Sequence, residues 1–320
     1  MGSFWKNNPS SPTWFGTIES WAKSYPSKLI DLQSPIRKIS LPPGFTLREA
    51  TSEDIEQLPE FWTRFFSAST RCIVPLLHIR NMVSKGIWTV LVIVREGNVI
   101  GSLVRRWIKG LHMEQVTWQK AGVIDYFCIH PAYRNKGIGR TLLSCIQNIT
   151  ERPIPPHLML LEGFQLSIPP VSADLYWSIQ CQTTGQTAGQ TTGQTSQIQE
   201  IAEGAEHRQS VWKLCVKGCL WSDYQGHETK IWKTASGYVA ILNTFHYSIP
   251  GGLRIGQIIG YTGEGFQDAA RSLDHGYGIL LMSGLTGLTG LTGWKIDSPY
   301  QFIGYNIQSK FLGGFPGLCF

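Results

Sequence analysis

The sequence predicts an α/β fold of the α+β kind, with mixed sheets laid out in two successive units. Three observations predict it. Residues Asp125–Ile146, DYFCIHPAYRNKGIGRTLLSCI, read as an apolar strand, a basic glycine-containing turn and a helix. Two apolar strands precede this stretch, and another follows it. After a low-complexity linker, a second run of strands and a helix repeats the same order.

The elements follow along the chain. Residues 1–42 are rich in Pro, Ser and Trp and read as an arm. A first unit opens at Leu41-Pro42-Pro43-Gly44-Phe45, with Phe45–Glu49 as a strand. Ser52 is placed to cap a helix whose first turn carries Glu53, Asp54 and Glu56, the acidic bias a helix N-terminus favours. Leu58, Phe61, Trp62, Phe65 and Phe66 recur at helical spacing and read as core. A second helix is expected over Pro75–Lys85. Trp88–Arg95 and Val99–Arg106 read as a hairpin joined at Glu96-Gly97-Asn98, with the Gly-Asn pair as its turn signal.

Val123–Ile129 is rich in β-branched and aromatic residues, as buried strands are. Pro131 ends it, because proline cannot donate to a ladder. Leu142, Ile146 and Ile149 share one helix face, and Pro153, Pro155 and Pro156 stop that helix. His157–Glu162 reads as the next strand. Gln182–Thr195 repeats TTGQ-TAGQ-TTGQ-T with almost no apolar content, so it reads as a linker. Beyond it, Gly237–Tyr247, Leu253–Tyr261, Tyr277–Met282 and Tyr300–Ile307 read as strands, Phe266–Leu273 as a helix and Gly284–Gly293 as a loop. The expected division is an arm over 1–42, a first unit over 43–180, a linker over 181–207 and a second unit over 208–320.

The strand-turn-helix carries the chemistry. Arg134, Lys136 and Arg140 concentrate positive charge on the turn, and Gly137 and Gly139 let its backbone approach a ligand closely. Turn amides opening into a helix form a natural cradle for a pyrophosphate. A strand before, a helix after and three surrounding cations weigh against a bare surface turn. Cys128 on the strand reads either as a nucleophile or as a small buried hydrophobe, with no histidine placed beside it to favour the first. His130 reads as the cap of the strand end.

Composition narrows the classes further. A chain of 320 residues has room for one large or two medium cores. The net charge of +6 suits an anionic ligand, yet no dense Lys/Arg run argues for nucleic acid. The longest apolar run, Trp88–Val94, is far short of the ~20 residues that span a bilayer. The seven cysteines are scattered and odd in number, so reduced thiols and a cytoplasmic location are expected. Cys215 and Cys219 lack a second ligand pair, so no metal is expected.

Arg134-Asn135-Lys136-Gly137-Ile138-Gly139 matches, at every fixed position, the Arg/Gln-x-x-Gly-x-Gly/Ala signature of the GNAT acyltransferases. The chain thus resembles that superfamily. The resemblance implies that the turn binds the pyrophosphate of acyl-coenzyme A and that free amides of the preceding strand face the thioester carbonyl. More closely, the chain resembles the glycylpeptide N-myristoyltransferases, which hold two GNAT units in one chain. The resemblance rests on Phe4-Trp5 with Pro9, Leu41-Pro42-Pro43-Gly44-Phe45, Asp125–His130, Leu166 with Pro169-Pro170-Val171, Tyr176-Trp177, Tyr305-Asn306 and Gly317–Phe320. It departs from the family where the pyrophosphate loop is the generic GNAT form, where Asp125 replaces an asparagine, and where Tyr277–Met282 loses two polar side chains.

Carried over by position, the resemblance implies roles for individual residues. Tyr126 and Phe127 would supply backbone donors to the oxyanion. Cys128, Ile129, Arg134, Asn135, Lys136, Gly137, Ile138, Gly139 and Arg140 would line the coenzyme A site. The Phe320 carboxylate would be the general base, and Tyr247 and Asp297 would meet the acceptor. Asp125 competes with Phe320 as the base, or else forms an ion pair. Tyr176 is placed to protonate the leaving thiolate, or is a core residue beside Trp177. The expected function is acyl transfer from acyl-CoA to the N-terminal glycine amine of a peptide. An acetyl-CoA-dependent acetyltransferase and a catalytically weak acyl-CoA-binding protein of the same fold are the alternatives.

Overall fold

The computed structural model describes residues 28–29, 41–108, 111–113, 116–118, 120–145, 157–162, 172–181, 198–201, 205–215, 229–282, 293–305, 307–308 and 312–313. It divides into two compact units, Met1–Ser172 with Gln301–Leu312 and Ala173–Tyr300 with Gly313–Phe320. The division is not linear in sequence, because a short late segment returns to the first unit.

The first unit runs β1 (Phe45–Glu49), α1 (Ser52–Phe65), β2 (Thr70–Cys72), α2 (Leu76–Ser84), β3 (Trp88–Arg95), β4 (Asn98–Ile108), β5 (Ala121–Ile129), α3 (Ile138–Ser144) and β6 (His157–Glu162). Its sheet order is β1-β3-β4-β5-β6. All neighbours are antiparallel except β5 and β6, which pair in parallel from Gly122↔His157 to Ile124↔Met159.

Local chemistry explains the boundaries, and in two places it corrects the sequence reading. The cap of α1 is Thr51, not Ser52. Thr51 and Asp54 form a reciprocal capping box, and Arg48 pairs with Asp54 at 2.9 Å. Such a cap stabilises a helix by about 1 kcal/mol. The β3–β4 hairpin turns on Glu96 and Gly97 rather than on Gly-Asn, and Arg95 pairs with Asn98. Both central residues have positive φ, 51° and 78°. Two-residue hairpins need that twist to match the strands they join.

Opposite faces of this sheet carry different helices. Leu103, Ile93, Ile124 and Ile129 pack against Ile138, Leu142 and Leu143 of α3. Ser102, one residue from Leu103, faces α1 and accepts a hydrogen bond from Trp62. Ile146 and Ile149, expected on the α3 face, lie outside the described residues.

The second unit holds β7 (Ser172–Gln180, whose first residue belongs to the first unit), β8 (Gln199–Glu200), α4 (Ala205–Cys215), β9 (Thr229–Lys233), β10 (Tyr238–Ser248), β11 (Arg254–Tyr261), α5 (Gly265–Ala270) and β12 (Ile279–Met282). A further strand, β13, spans Lys295–Tyr305, its residues from Gln301 onward belonging to the first unit. The order β8-β9-β10-β11-β12-β7 is antiparallel except for the parallel β11–β12 pair. Helix α4 packs Val211 and Trp212 on Ile231, Ala240, Leu242 and Ile259. Helix α5 packs Phe266, Ala269 and Ala270 on Ile241, Ile258 and Leu280.

The run β8-α4-β9-β10-β11-α5-β12 thus has the order and strand directions of β1-α1-β3-β4-β5-α3-β6. The duplicated fold is real at the level of topology. The sequence reading had no helix at α4, whose apolar side is confined to a few residues such as Val211 and Trp212.

Candidate active site

The site is built where β5 ends. Along β5, Cys128 opposes Ser102 and Asp125 opposes Val104, so Tyr126 and Phe127 together face the single residue Leu103. Two residues against one is a β-bulge, which takes part of the strand out of the ladder. Tyr126 has φ of 44°, left-handed backbone that an aromatic residue adopts only under constraint.

The bulge also breaks the alternation of side chains. Asp125 and Tyr126 both fall on the α1 face, and Phe127 falls on the α3 face. The Tyr126 ring stacks on Trp62 at 4.4 Å and lies 5.4 Å from Trp88 and from Phe66. Ser102 donates to the Tyr126 carbonyl at 3.1 Å and accepts from Trp62 Nε1 at 2.9 Å. Sequence reasoning missed Ser102 as a site residue, although a lone hydroxyl inside the apolar run Val99–Val104 was the available signal.

Asp125 forms an ion pair with Arg106, Nε to Oδ2 at 3.4 Å, with side-chain exposures of 12% and 1%. Burial pushes its carboxyl up to about 6, against the pull of Arg106 in the other direction. Burial likewise holds the Tyr126 phenol well above its ordinary value. Cys128 is buried and its thiol is pushed up to about 12, chiefly by desolvation. Its burial and raised thiol favour the reading of Cys128 as a small buried hydrophobe over that of a nucleophile.

The turn after β5 starts with a short 3-10 turn, Pro131–Tyr133, which His130 caps by accepting from the Ala132 amide at 3.2 Å. Asn135 and Gly137 then take left-handed conformations, φ 62° and 81°. Gly137 is the N-cap of α3, and its carbonyl accepts from the Thr141 amide at 3.0 Å. The amides of Ile138, Gly139 and Arg140 open the helix and have no intrahelical acceptor by geometry. A Cβ on Gly137 would meet nothing within 4 Å, so this side of the turn is open. A Cβ on Gly139 would stand 3.1 Å from Phe127 Cζ and 3.5 Å from Ile129 Cγ1. Gly139 therefore lets α3 close onto the bulged strand.

The three turn cations are not equivalent. Arg134 donates from Nε to the Ile129 carbonyl and from Nη2 to the Phe65 carbonyl, both at 2.9 Å. Its guanidinium braces the turn on protein carbonyls. Lys136 lies over the Tyr133 ring at 5.7 Å, and Arg140 is exposed. The Tyr133 ring in turn meets Phe45 edge-on at 5.7 Å.

The equivalent turn of the second unit is built differently. Between β11 and α5 it reads Thr262-Gly263-Glu264-Gly265, with an acid in place of the cations. A Cβ on Gly263 would stand 2.2 Å from the Ser236 carbonyl oxygen, and one on Gly265 2.6 Å from that of Tyr238. The β9–β10 hairpin thus fills the face that is open in the first unit. Among the described residues, an open turn of this kind carrying cations is found in the first unit and not in the second.

The other expected site residues are spread over the second unit. Tyr247 is half-buried on β10, opposite Arg254. The backbone of Tyr176 lies in β7 and that of Asp297 in β13. The side chains of Tyr176 and Asp297, and Phe320 altogether, lie outside the described residues. Among the described residues, no cluster of His, Cys, Asp or Glu is placed to hold a metal ion. Among them, too, no helix is long and apolar enough to cross a membrane.

Residues 55–152, from within α1 to beyond α3, match the family model described as the acetyltransferase (GNAT) family. The fold of the chain is that of N-myristoyltransferase. It matches the Saccharomyces cerevisiae N-myristoyltransferase structure with bound myristoyl-CoA at a TM-score of 0.72 and 13% identity, over 98% of this chain and 94% of that one. A second structure of the yeast enzyme, with bound myristoyl-CoA and inhibitors, matches at a TM-score of 0.71 and 12% identity, over 98% and 91%. No curated protein sequence matches the chain.

Proposed function

We propose that the chain transfers an acyl group from acyl-CoA to a primary amine, the donor being a fatty acyl (myristoyl) thioester and the acceptor the N-terminal glycine of a peptide. One observation carries the reading. A bulged strand that sets Tyr126 and Phe127 opposite the single residue Leu103 leads into an open, cationic turn at Asn135–Arg140. Those are the two holds a thioester of coenzyme A requires, one on the carbonyl and one on the pyrophosphate.

In this reading the turn amides and the charges of Lys136 and Arg140 receive the phosphates. The bulge amides meet the negative charge that develops on the carbonyl oxygen as the amine attacks. The C–N bond forms, the C–S bond breaks, and the sulfur leaves as thiolate. The amine loses a proton in the process. Asp125, raised to about 6, is the described carboxylate beside the bulge, and it is matched to accepting that proton near neutral pH. The Phe320 carboxylate is the alternative base, and Tyr176 the proposed acid for the thiolate. Tyr247 and Asp297 are proposed to face the acceptor.

The chain's likeness in fold to an enzyme solved with myristoyl-CoA supports the long acyl group. A second reading, transfer of acetyl, is favoured by one feature of the first unit. Trp62, Trp88 and Tyr126 fill the space beneath the bulge on the α1 face, with ring centroids 4.4 to 6.5 Å apart. Competition of myristoyl-CoA against acetyl-CoA, with an N-terminal-glycine peptide as acceptor, separates the two. Preferred transfer of myristoyl supports the first reading. Preferred transfer of acetyl overturns it in favour of the second, and no transfer from either overturns both.

A further inference from the structure

We propose that Trp62 and Ser102 form a clamp that aims the Phe127 N–H at the acyl carbonyl, which makes both of them positioning residues for the transfer. The inference rests on the acyltransferase reading and adds to it the side chains that set the geometry of the oxyanion donor.

The proton directions in the clamp are unambiguous. An indole nitrogen only donates, so the Trp62–Ser102 contact at 2.9 Å makes the serine oxygen an acceptor. The single hydroxyl proton of Ser102 is then committed to the Tyr126 carbonyl at 3.1 Å. The Tyr126 carbonyl and the Phe127 N–H belong to one planar trans peptide and point in opposite directions. Holding the carbonyl toward β4 therefore holds the N–H away from β4.

The bulge needs such a hold. Left-handed backbone at Tyr126 is unfavourable for a side chain of that size and persists only when its surroundings over-determine it. Trp62 contributes twice, because its ring stacks on the Tyr126 ring while its N–H orients the serine. Trp62 and Ser102 are both 0% exposed, so water does not compete for either bond. A Trp–Ser hydrogen bond that merely satisfied two buried groups would have no reason to end on the one carbonyl whose peptide carries the donor.

The test follows the thioester carbonyl itself. Infrared difference spectra of bound [1-13C]myristoyl-CoA and [1-13C]acetyl-CoA report how strongly the protein polarises that bond. Steady-state transfer to the glycine peptide is measured alongside. The variants are Ser102→Ala, Trp62→Phe, which keeps a ring and loses the N–H, and the two combined, with thermal unfolding to confirm that each is folded.

For the wild type, the carbonyl band is expected to move to lower frequency on binding. In Ser102→Ala that displacement shrinks and kcat falls by about 10- to 100-fold, the scale of a misaimed donor, while KM for acyl-CoA stays within about twofold. Trp62→Phe shows the same pattern more weakly, and the double variant is no worse than Ser102→Ala, because the two bonds act in series. A full wild-type displacement in folded Ser102→Ala or folded Trp62→Phe overturns the clamp and leaves the acyltransferase reading intact. No binding of either thioester by the wild type overturns the acyltransferase reading, and the clamp with it.

Discussion

Arg134 Nη2 donates to the carbonyl oxygen of Phe65 at 2.9 Å, which ties the turn after β5 to the last residue of α1. The most recognisable cation of the motif thus acts on the protein itself. Its Nε makes a second bond, to the Ile129 carbonyl at the end of the bulged strand. A cation at a helix C-terminus is also favoured by the helix dipole.

Arg134→Ala is therefore expected to cost about 1 kcal/mol in urea unfolding, with part of each bond recovered by water at this exposed site. Affinity for coenzyme A should fall because the turn loosens. Arg134→Gln, which retains a donor, should recover most of the affinity although it lacks the charge. If Gln and Ala weaken binding equally, the guanidinium charge is what the ligand reads.

Gly137 and Gly263 occupy equivalent turns and should respond in opposite ways. Gly137→Ala places its Cβ in open space at φ 81°, so its stability cost is the conformational one of about 1–2 kcal/mol. Coenzyme A affinity, read by calorimetry, should nevertheless drop about tenfold as the methyl enters the face the phosphates approach. Gly263→Ala drives a Cβ to 2.2 Å from the Ser236 carbonyl oxygen at φ 55° and should cost about 3 kcal/mol or more. In the folded protein it should leave coenzyme A affinity unchanged.

Gly139→Ala tests the contact between α3 and the bulged strand. The added methyl would press on the Phe127 ring at 3.1 Å, tight enough that the ring must shift. Transfer should fall by about tenfold in kcat, with a smaller change in coenzyme A affinity, because the residue displaced is the one proposed to carry the oxyanion donor. Unchanged kcat would mean that the Phe127 backbone does not follow its ring.

Asp125 predicts two pH dependences. Its carboxyl is raised from about 3.8 to about 6 in the folded protein. The native state therefore binds the proton more tightly than the unfolded chain. Stability from this group is complete below pH 4 and is lost as pH rises through 6, by roughly 3 kcal/mol. Urea unfolding of wild type and Asp125→Asn from pH 4 to 7 should show this slope only in the wild type. Asp125→Asn also removes the carboxylate that pairs with buried Arg106, so it should be less stable at every pH above 6. If Asp125 is the base, wild-type transfer rises through pH 6 and the variant loses about 100-fold in kcat. A folded variant with wild-type rates would assign Asp125 to the ion pair alone.

Residue order alone made much of this molecule legible. The apolar run Trp88–Val94, the turn chemistry at Gly97, the proline after Ile129 and the Arg-x-x-Gly-x-Gly spacing each state a local requirement of the backbone. Strands β3, β5 and β6, helix α2 and the GNAT-type turn could be read from them. Where a boundary slipped, a short-range rule had been applied one residue off, as at Thr51 and Glu96.

What the sequence by itself determined was thus the kind of fold, its duplication and the place of the cationic glycine turn, because hydrophobic period, glycine and proline act over a few residues. The tertiary structure decided the rest. It placed two residues of β5 opposite Leu103, turned Arg134 onto the Phe65 carbonyl, buried Asp125 against Arg106 and closed the second turn with the Ser236–Tyr238 backbone. Each of these joins residues at least nineteen apart in sequence. A register shift, a buried charge and a backbone pressed on a glycine exist only once distant strands have packed.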